Sequence, residues 1–282
     1  VKVIAHMLAF LAAIAVTTGI FTFVANRTIW NVEYMERSAE ETKLYHGIAA
    51  ALPDLVASGT ENPAETKKLI ASAVTPQLLE QQIETLVPQF VSHYREGGPA
   101  PTLDLTPFAA QLQTAGVAVP PDVAAQLATP KTIAAGEADA TLAKAGANAK
   151  LIDWASWAAA AVLLVLIGLL AGQARFLVLS TVGYMAGILT GILGFLVLFA
   201  PGLVTAALKN SAASALEPGL LEFAKAVASG ISNQLFVAAG VCGVVAIVLT
   251  ILHAVLLAKS KLIKPKAKPA KVAPPPAGMV KS

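Results

Sequence analysis

The sequence predicts an all-α protein, a four-transmembrane-helix bundle with a helical extracytoplasmic domain between the first and second spans. Three observations carry that expectation. Stretches 1–25, 151–172, 176–200 and 233–258 are apolar and nearly free of charge, and each is long enough to cross a hydrocarbon core of about 30 Å. Charged residues make up only 13% of the chain while hydrophobic ones make up 56%, where soluble domains carry roughly 25% charged residues. Segment 26–150 between the first two spans has helical start and stop signals and no strand-like alternation of useful length.

Taken in order, 3–25 is apolar apart from His6 and a few threonines. It is longer than the apolar region of a signal peptide, and Phe23 stands where a cleavage site needs a small residue. A retained span is therefore expected. Trp30, Tyr34 and Arg37 suggest that its helix continues out through the interface. In the domain, Leu44, Ile48, Leu52 and Leu55 mark one helix face, ending near Gly59. Asn62, Pro63 and Glu65 form a capping box with proline at the first helical position. Thr75-Pro76 opens another helix, which Pro88 should kink and Gly97-Gly98 should stop. Thr106-Pro107 opens a short helix ending at Gly116, and Pro120-Pro121-Asp122 opens one more.

One long helix is expected over 132–173, with Gly136 and Gly146 as weak points and Trp154 and Trp157 in the interfacial belt of the second span. A three-residue turn, Gln173-Ala174-Arg175, joins it to the third. There Gly183, Gly187 and Gly191 recur at four-residue spacing, and Gly194 continues the stripe. All lie on one helix face with nothing projecting, so another helix can approach backbone to backbone. This span is expected to be the one around which the others pack. Pro201-Gly202 should break it. Segment 201–232 is expected to form two extracytoplasmic amphipathic helices split at Glu217-Pro218-Gly219. The fourth span has small-residue rows of its own, Ala239 with Gly243, and Ala238, Cys242 and Ala246. Segment 259–282, rich in lysine and proline, is expected to be a disordered cytoplasmic tail.

Charge is segregated. Segment 26–150 has nine Lys/Arg against fourteen Asp/Glu, a net of −5, whereas 259–282 has seven lysines and no acid. The basic balance of the whole chain thus comes from its tail, and no nucleic-acid partner is expected. With four spans, Lys2, Arg175 and the tail fall on one side, which the positive-inside rule makes cytoplasmic. Both termini are then cytoplasmic in a multi-pass protein of the plasma membrane. A single cysteine, Cys242, excludes an intramolecular disulfide and a cysteine-based metal site. Four spans with a large first outer loop resemble claudin-like tetraspan proteins in outline. This loop has no cysteine pair, so no family residue or activity carries over.

No catalytic, cofactor-binding or metal-binding motif emerges, and no cofactor is expected. His6 and His253 fall at similar depth near the cytoplasmic end, each readable as a histidine bonded to backbone or interfacial water. Asp153 reads as an interfacial residue in water. The pairs Glu36/Glu40 and Glu80/Glu84 read as solvated helix faces, and His93-Tyr94-Arg95 as helix-end chemistry. Lys259, Lys261, Lys264, Lys266, Lys268 and Lys271 are candidate contacts to anionic lipid. No acidic or basic residue lies mid-span, where ion-coupled transporters usually place one. The function expected is non-enzymatic: a structural, assembly or sensing component of a cell envelope, in contact with the lipid bilayer and with a protein partner through the outer domain. The valine at position 1 suggests an alternative start codon and hence a bacterial envelope. The alternative is a channel or transporter subunit that forms a homo-oligomer through its glycine-striped helices, although Thr181 and Thr190 are scattered polar residues rather than a pore-lining face.

Overall fold

The computed structural model describes residues 2–57, 63–114, 128–132, 137–209 and 217–263, and these are almost entirely helical. Four helices are long and apolar enough to cross a membrane. They belong to α1 (Lys2–Arg27), α7 (Glu137–Leu170), α8 (Arg175–Val197) and α10 (Glu217–Ile263). Between α1 and α7 come α2 (Val32–Glu41), α3 (Leu44–Ala57), α4 (Pro63–Ala73), α5 (Pro76–Glu96) and α6 (Thr106–Thr114). Strands β1 (Thr102–Leu103) and β2 (Lys131–Thr132) form one short antiparallel pair. Helix α9 (Ala200–Lys209) follows α8. Gly59, Asn62, Gly116, Pro120-Pro121-Asp122, Gly136 and the tail lysines from Lys264 onward lie outside the described residues.

The spans are arranged with α7 against α1, α1 against α8, and α8 against α10. The most enclosed is α1: 44% of its apolar window is buried, against 22% for the span containing α8 and 11% for each of the other two. The glycine-striped α8 is likewise flanked on two sides, by α1 and by α10, so the two helices share the middle of the arrangement. What encloses α1 is alanine. Ala5, Ala9, Ala12 and Ala13 are fully or almost fully buried against Ile167, Val178, Val182 and Ala186, and such small side chains let α1 sit between two neighbours at close range.

Several boundaries also differ. Helix α1 does not continue through Trp30; it stops at Arg27. The Asn31 side chain accepts from the Tyr34 N–H at 2.9 Å and starts α2 afresh, as an N-cap asparagine does. Thr132 is not helical but pairs with Thr102 across β1 and β2. Helix α8 ends at Val197, so the break precedes Pro201, which lies in the first turn of α9, where a missing N–H costs nothing. The largest difference is α10. The second amphipathic helix and the fourth span are one continuous helix of 47 residues, which runs on past Lys259 to Ile263. Pro218 stands at its second residue, where proline suits the first turn. Only glycines follow it as weak helix formers, and each costs about 1 kcal/mol without stopping the helix.

Other local signals act where expected. The Thr75 hydroxyl accepts from the Leu78 N–H at 3.2 Å, and Gly97 closes α5 at φ 69°, a left-handed conformation. Pro88 lies inside α5, which continues past it to Glu96. The turn Gly172–Ala174 makes α7 and α8 a tight hairpin.

The first amphipathic turns of α10 enter the helical domain. Leu220 and Phe223 pack on a core of Ala39, Leu44, Tyr45, Leu78, Leu79 and Phe108. Three glycines permit this docking. A β-carbon on Gly47 would lie 3.1 Å from Gly219 Cα. One on Gly230 would collide with the Tyr34 hydroxyl. One on Gly146 would collide with the Tyr94 carbonyl and lie 3.1 Å from the Trp30 ring. At that last contact, Arg95 Nη1 also donates to the Trp30 carbonyl at 3.2 Å. Gly146, a weak point by helix propensity, is thus where α7 meets the end of α5.

Gly146→Ala should therefore lower the melting temperature of the detergent-solubilised chain, at a cost of about 1–3 kcal/mol for overpacking. Gly168→Ala, on the same helix but with open space at the β-carbon position, should be neutral or stabilising by up to about 1 kcal/mol. Equal shifts for the two would contradict the docking contact.

Candidate functional site

The glycine face of α8 lies against α10. A β-carbon on Gly183 would be 2.9 Å from Ala246 Cβ and 3.1 Å from the Cys242 carbonyl. One on Gly187 would be 3.1 Å from the Ala239 carbonyl and 3.5 Å from Cys242 Cβ. One on Gly191 would be 3.9 Å from Ala239 Cβ, and one on Gly194 3.3 Å from Leu235 Cβ. The facing row is Leu235, Ala239, Cys242 and Ala246, a 4-3-4 spacing. The Gly243 backbone nitrogen also lies 3.7 Å from the Gly187 β-carbon position, while a β-carbon on Gly243 itself would meet open space. A strict four-residue spacing drifts around a helix of 3.6 residues per turn, and an alternation of fours and threes stays on the seam.

The histidines are not gathered. His6 is exposed on α1 beside Val3, Met7, Phe10 and Leu11, while His253 lines a cleft with Gly168, Arg175 and Phe176 at the α7–α8 hairpin. Thr181 donates to the Leu177 carbonyl of its own helix at 3.0 Å, and Thr190 is buried. Lys259 is exposed and Lys261 lies within α10.

Two features were not foreseen. Asp153 is bridged between spans: its Oδ1 accepts from the Thr22 hydroxyl at 2.9 Å and from Trp157 Nε1 at 3.1 Å. The Trp157 ring lies over Gly19, where a β-carbon would come within 2.9 Å of it. An Asp–Trp pair one turn apart was visible in the sequence, but nothing there pointed to Thr22 or Gly19. The acidic pairs also converge. Burial of Tyr45, followed by the charges of Glu40, Glu80, Glu84 and Glu36, pushes its phenol up to about 12. Carboxylates from α2 and α5 thus act electrostatically on one buried tyrosine. Among the described residues, no group of three His, Cys, Asp or Glu side chains is placed to hold a metal ion.

Two adjacent apolar concave features lie where the spans meet the helical domain. One cavity of about 590 Å³ is walled by Phe21, Ala25, Val197, Ala228 and Ile231, among others. A second, of about 350 Å³, lies inside the domain between Met35, Ile83, Val87 and Phe90. Ile29 and Phe223 border both. The walls are apolar side chains almost throughout, with the Trp30 indole and the Tyr94 phenol at the inner cavity. In sequence, Phe223 read as part of a separate surface helix. Only the continuity of α10 places it between the two cavities.

No family model matches the chain, and neither a curated protein nor a solved structure matches it.

The seam makes a direct expectation. Gly187→Leu puts a branched side chain where α10 backbone lies 3.1 Å from the β-carbon position, and should destabilise the solubilised protein by about 1–3 kcal/mol. Gly243→Leu, with open space at that position, should melt like the unmodified chain or slightly higher. Thermal melts in detergent separate these outcomes, and identical curves would remove the seam as a stabilising contact.

Proposed function

We propose that this chain is a non-enzymatic, multi-pass component of a bacterial plasma membrane, acting in structure, assembly or sensing through an extracytoplasmic helical domain that binds a protein partner. The observation that carries the reading is the continuity of α10. Its 47 residues extend about 70 Å at 1.5 Å per residue, more than twice the hydrocarbon thickness of about 30 Å. The same helix packs against α8 within the spans and contributes Leu220 and Phe223 to the domain core. A load or ligand on the domain is therefore transmitted to a span through regular helix rather than through a linker. Backbone contacts at Gly47–Gly219 and Gly146–Tyr94 add two further fixed points.

The orientation is supported by charge. Arg175 and Lys259 fall at the end opposite the domain, whose segment has the net of −5. Basic residues close to span ends favour the cytoplasmic side.

Single cysteines in a Cys242→Ser background test this arrangement on intact cells, with any outer membrane permeabilised. Thr85→Cys, on an exposed face of α5, should react with a membrane-impermeant maleimide. Gln173→Cys, exposed at the α7–α8 hairpin, should react only after lysis. The reverse pattern would put the domain in the cytoplasm and overturn the proposal.

A further inference from the structure

We propose that the two adjacent apolar clefts at the base of the helical domain, which share Ile29 and Phe223, hold one acyl chain of a bilayer lipid, taken from the leaflet that borders the domain. This inference rests on the membrane placement of the four spans. It does not depend on which side the domain faces or on what the domain binds.

Chemistry selects the class of occupant. Binding sites for polar metabolites combine apolar walls with a few convergent polar groups that fix orientation. The walls of the cavity nearer the spans are formed by hydrocarbon side chains and backbone, with no charged side chain among them. Such a surface recognises a hydrocarbon and little else.

Position selects the source. Phe21 and Ile29 are 36% and 38% exposed, and the adjoining surface includes Phe199 at 60% and Leu203 at 73%. The cavity is thus continuous with the apolar belt that faces lipid tails. At that depth, lipid tails are the abundant apolar molecules.

Shape selects a chain rather than a compact ligand. The two cavities, of about 590 and 350 Å³, follow one another past Ile29 and Phe223. The inner one lies beyond the end of α1, among domain helices α2, α3 and α5. Both are open clefts, and their apolar walls offer ordered water few polar partners. A flexible chain entering beside Phe21 and passing Phe223 would fill both.

The inner cavity makes the test selective, because lipid that merely surrounds the spans cannot reach α5. The full-length chain is reconstituted in phosphatidylethanolamine/phosphatidylglycerol vesicles doped with a phosphatidylethanolamine that has a diazirine at the end of one acyl chain. After photolysis, labelled residues are mapped by peptide mass spectrometry. The expected result is label on Ile83, Val87 or Phe90 of α5 and on Phe223, besides ordinary label on lipid-facing Val244 and Ile251. Label confined to the lipid-facing positions would overturn the proposal and would mean that the cavity is filled by the chain itself. Ala228→Phe narrows the entrance without adding charge. It should reduce label on α5 by roughly tenfold while leaving Val244 unchanged, and undiminished label on α5 would equally contradict the acyl-chain assignment. Neither readout changes if the domain proves to face the cytoplasm, so failure here and failure of the orientation are distinguishable.

Discussion

Lipid tails are as apolar as leucine, so helices immersed in them gain little by hiding side chains from their surroundings and must be held by close contact. That constraint explains where the small residues of this chain lie. Along the α8–α10 seam, the β-carbon positions of Gly183 and Gly187 fall within about 3 Å of the facing helix. Along α1, buried alanines take the same role. At Gly19 the surface is given over to the Trp157 ring, whose N–H donates to Asp153 within α7, and the Thr22 hydroxyl donates to the same carboxylate to tie α1 to α7. A bulky side chain such as leucine at any of these points would push apart helices that have few other means of association.

The same device recurs outside the spans, with a different consequence. Gly47 and Gly146 let the domain helices approach α10 and α7 at backbone distance, and Gly230 makes room on α10 for the Tyr34 hydroxyl. The domain is therefore seated on extensions of two spans rather than suspended from loops. Its core is completed by residues of α10. Where the domain and the spans curve away from each other between these contacts, apolar space remains, bordered by Ile29 and Phe223. Tight seating and the adjoining cavities are two aspects of one arrangement.

Much of this was legible from local chemistry. The four spans followed from length and composition. The Thr75 cap, the Gly97 stop and the three-residue hairpin turn followed from residue types whose backbone preferences are strong. What could not be read was pairing. The Ala5–Ala13 face of α1 has no distinctive residue, only smallness, so its close enclosure depended on which neighbours flank it. Glu217-Pro218-Gly219 looked like an interruption because proline and glycine stop helices, yet the same residues begin one when they occupy its first turn. Gly146 looked like a flaw in a long helix because the carbonyl that occupies its empty face comes from Tyr94, 52 positions earlier (146 − 94). Asp153 looked solvated because its partner Thr22 is remote in sequence.

The central claim is that α8 and α10 touch along the glycine face, and the one native cysteine offers a direct measure of it. The β-carbon position of Gly187 lies 3.5 Å from Cys242 Cβ, at the short end of the 3.5–4.5 Å separation that a disulfide requires. Gly187→Cys should therefore form an intrachain disulfide with Cys242 under mild oxidation in native membranes. It should be detected as a reducible mass loss of two hydrogens within one chain, and it should be absent when Cys242 is replaced by serine. Ile188→Cys, which is exposed and turned about 100° away from the seam on α8, should leave both thiols free. A Gly187→Cys chain whose thiols stay free, or pair only between chains, would contradict the seam on which this account of the bundle depends.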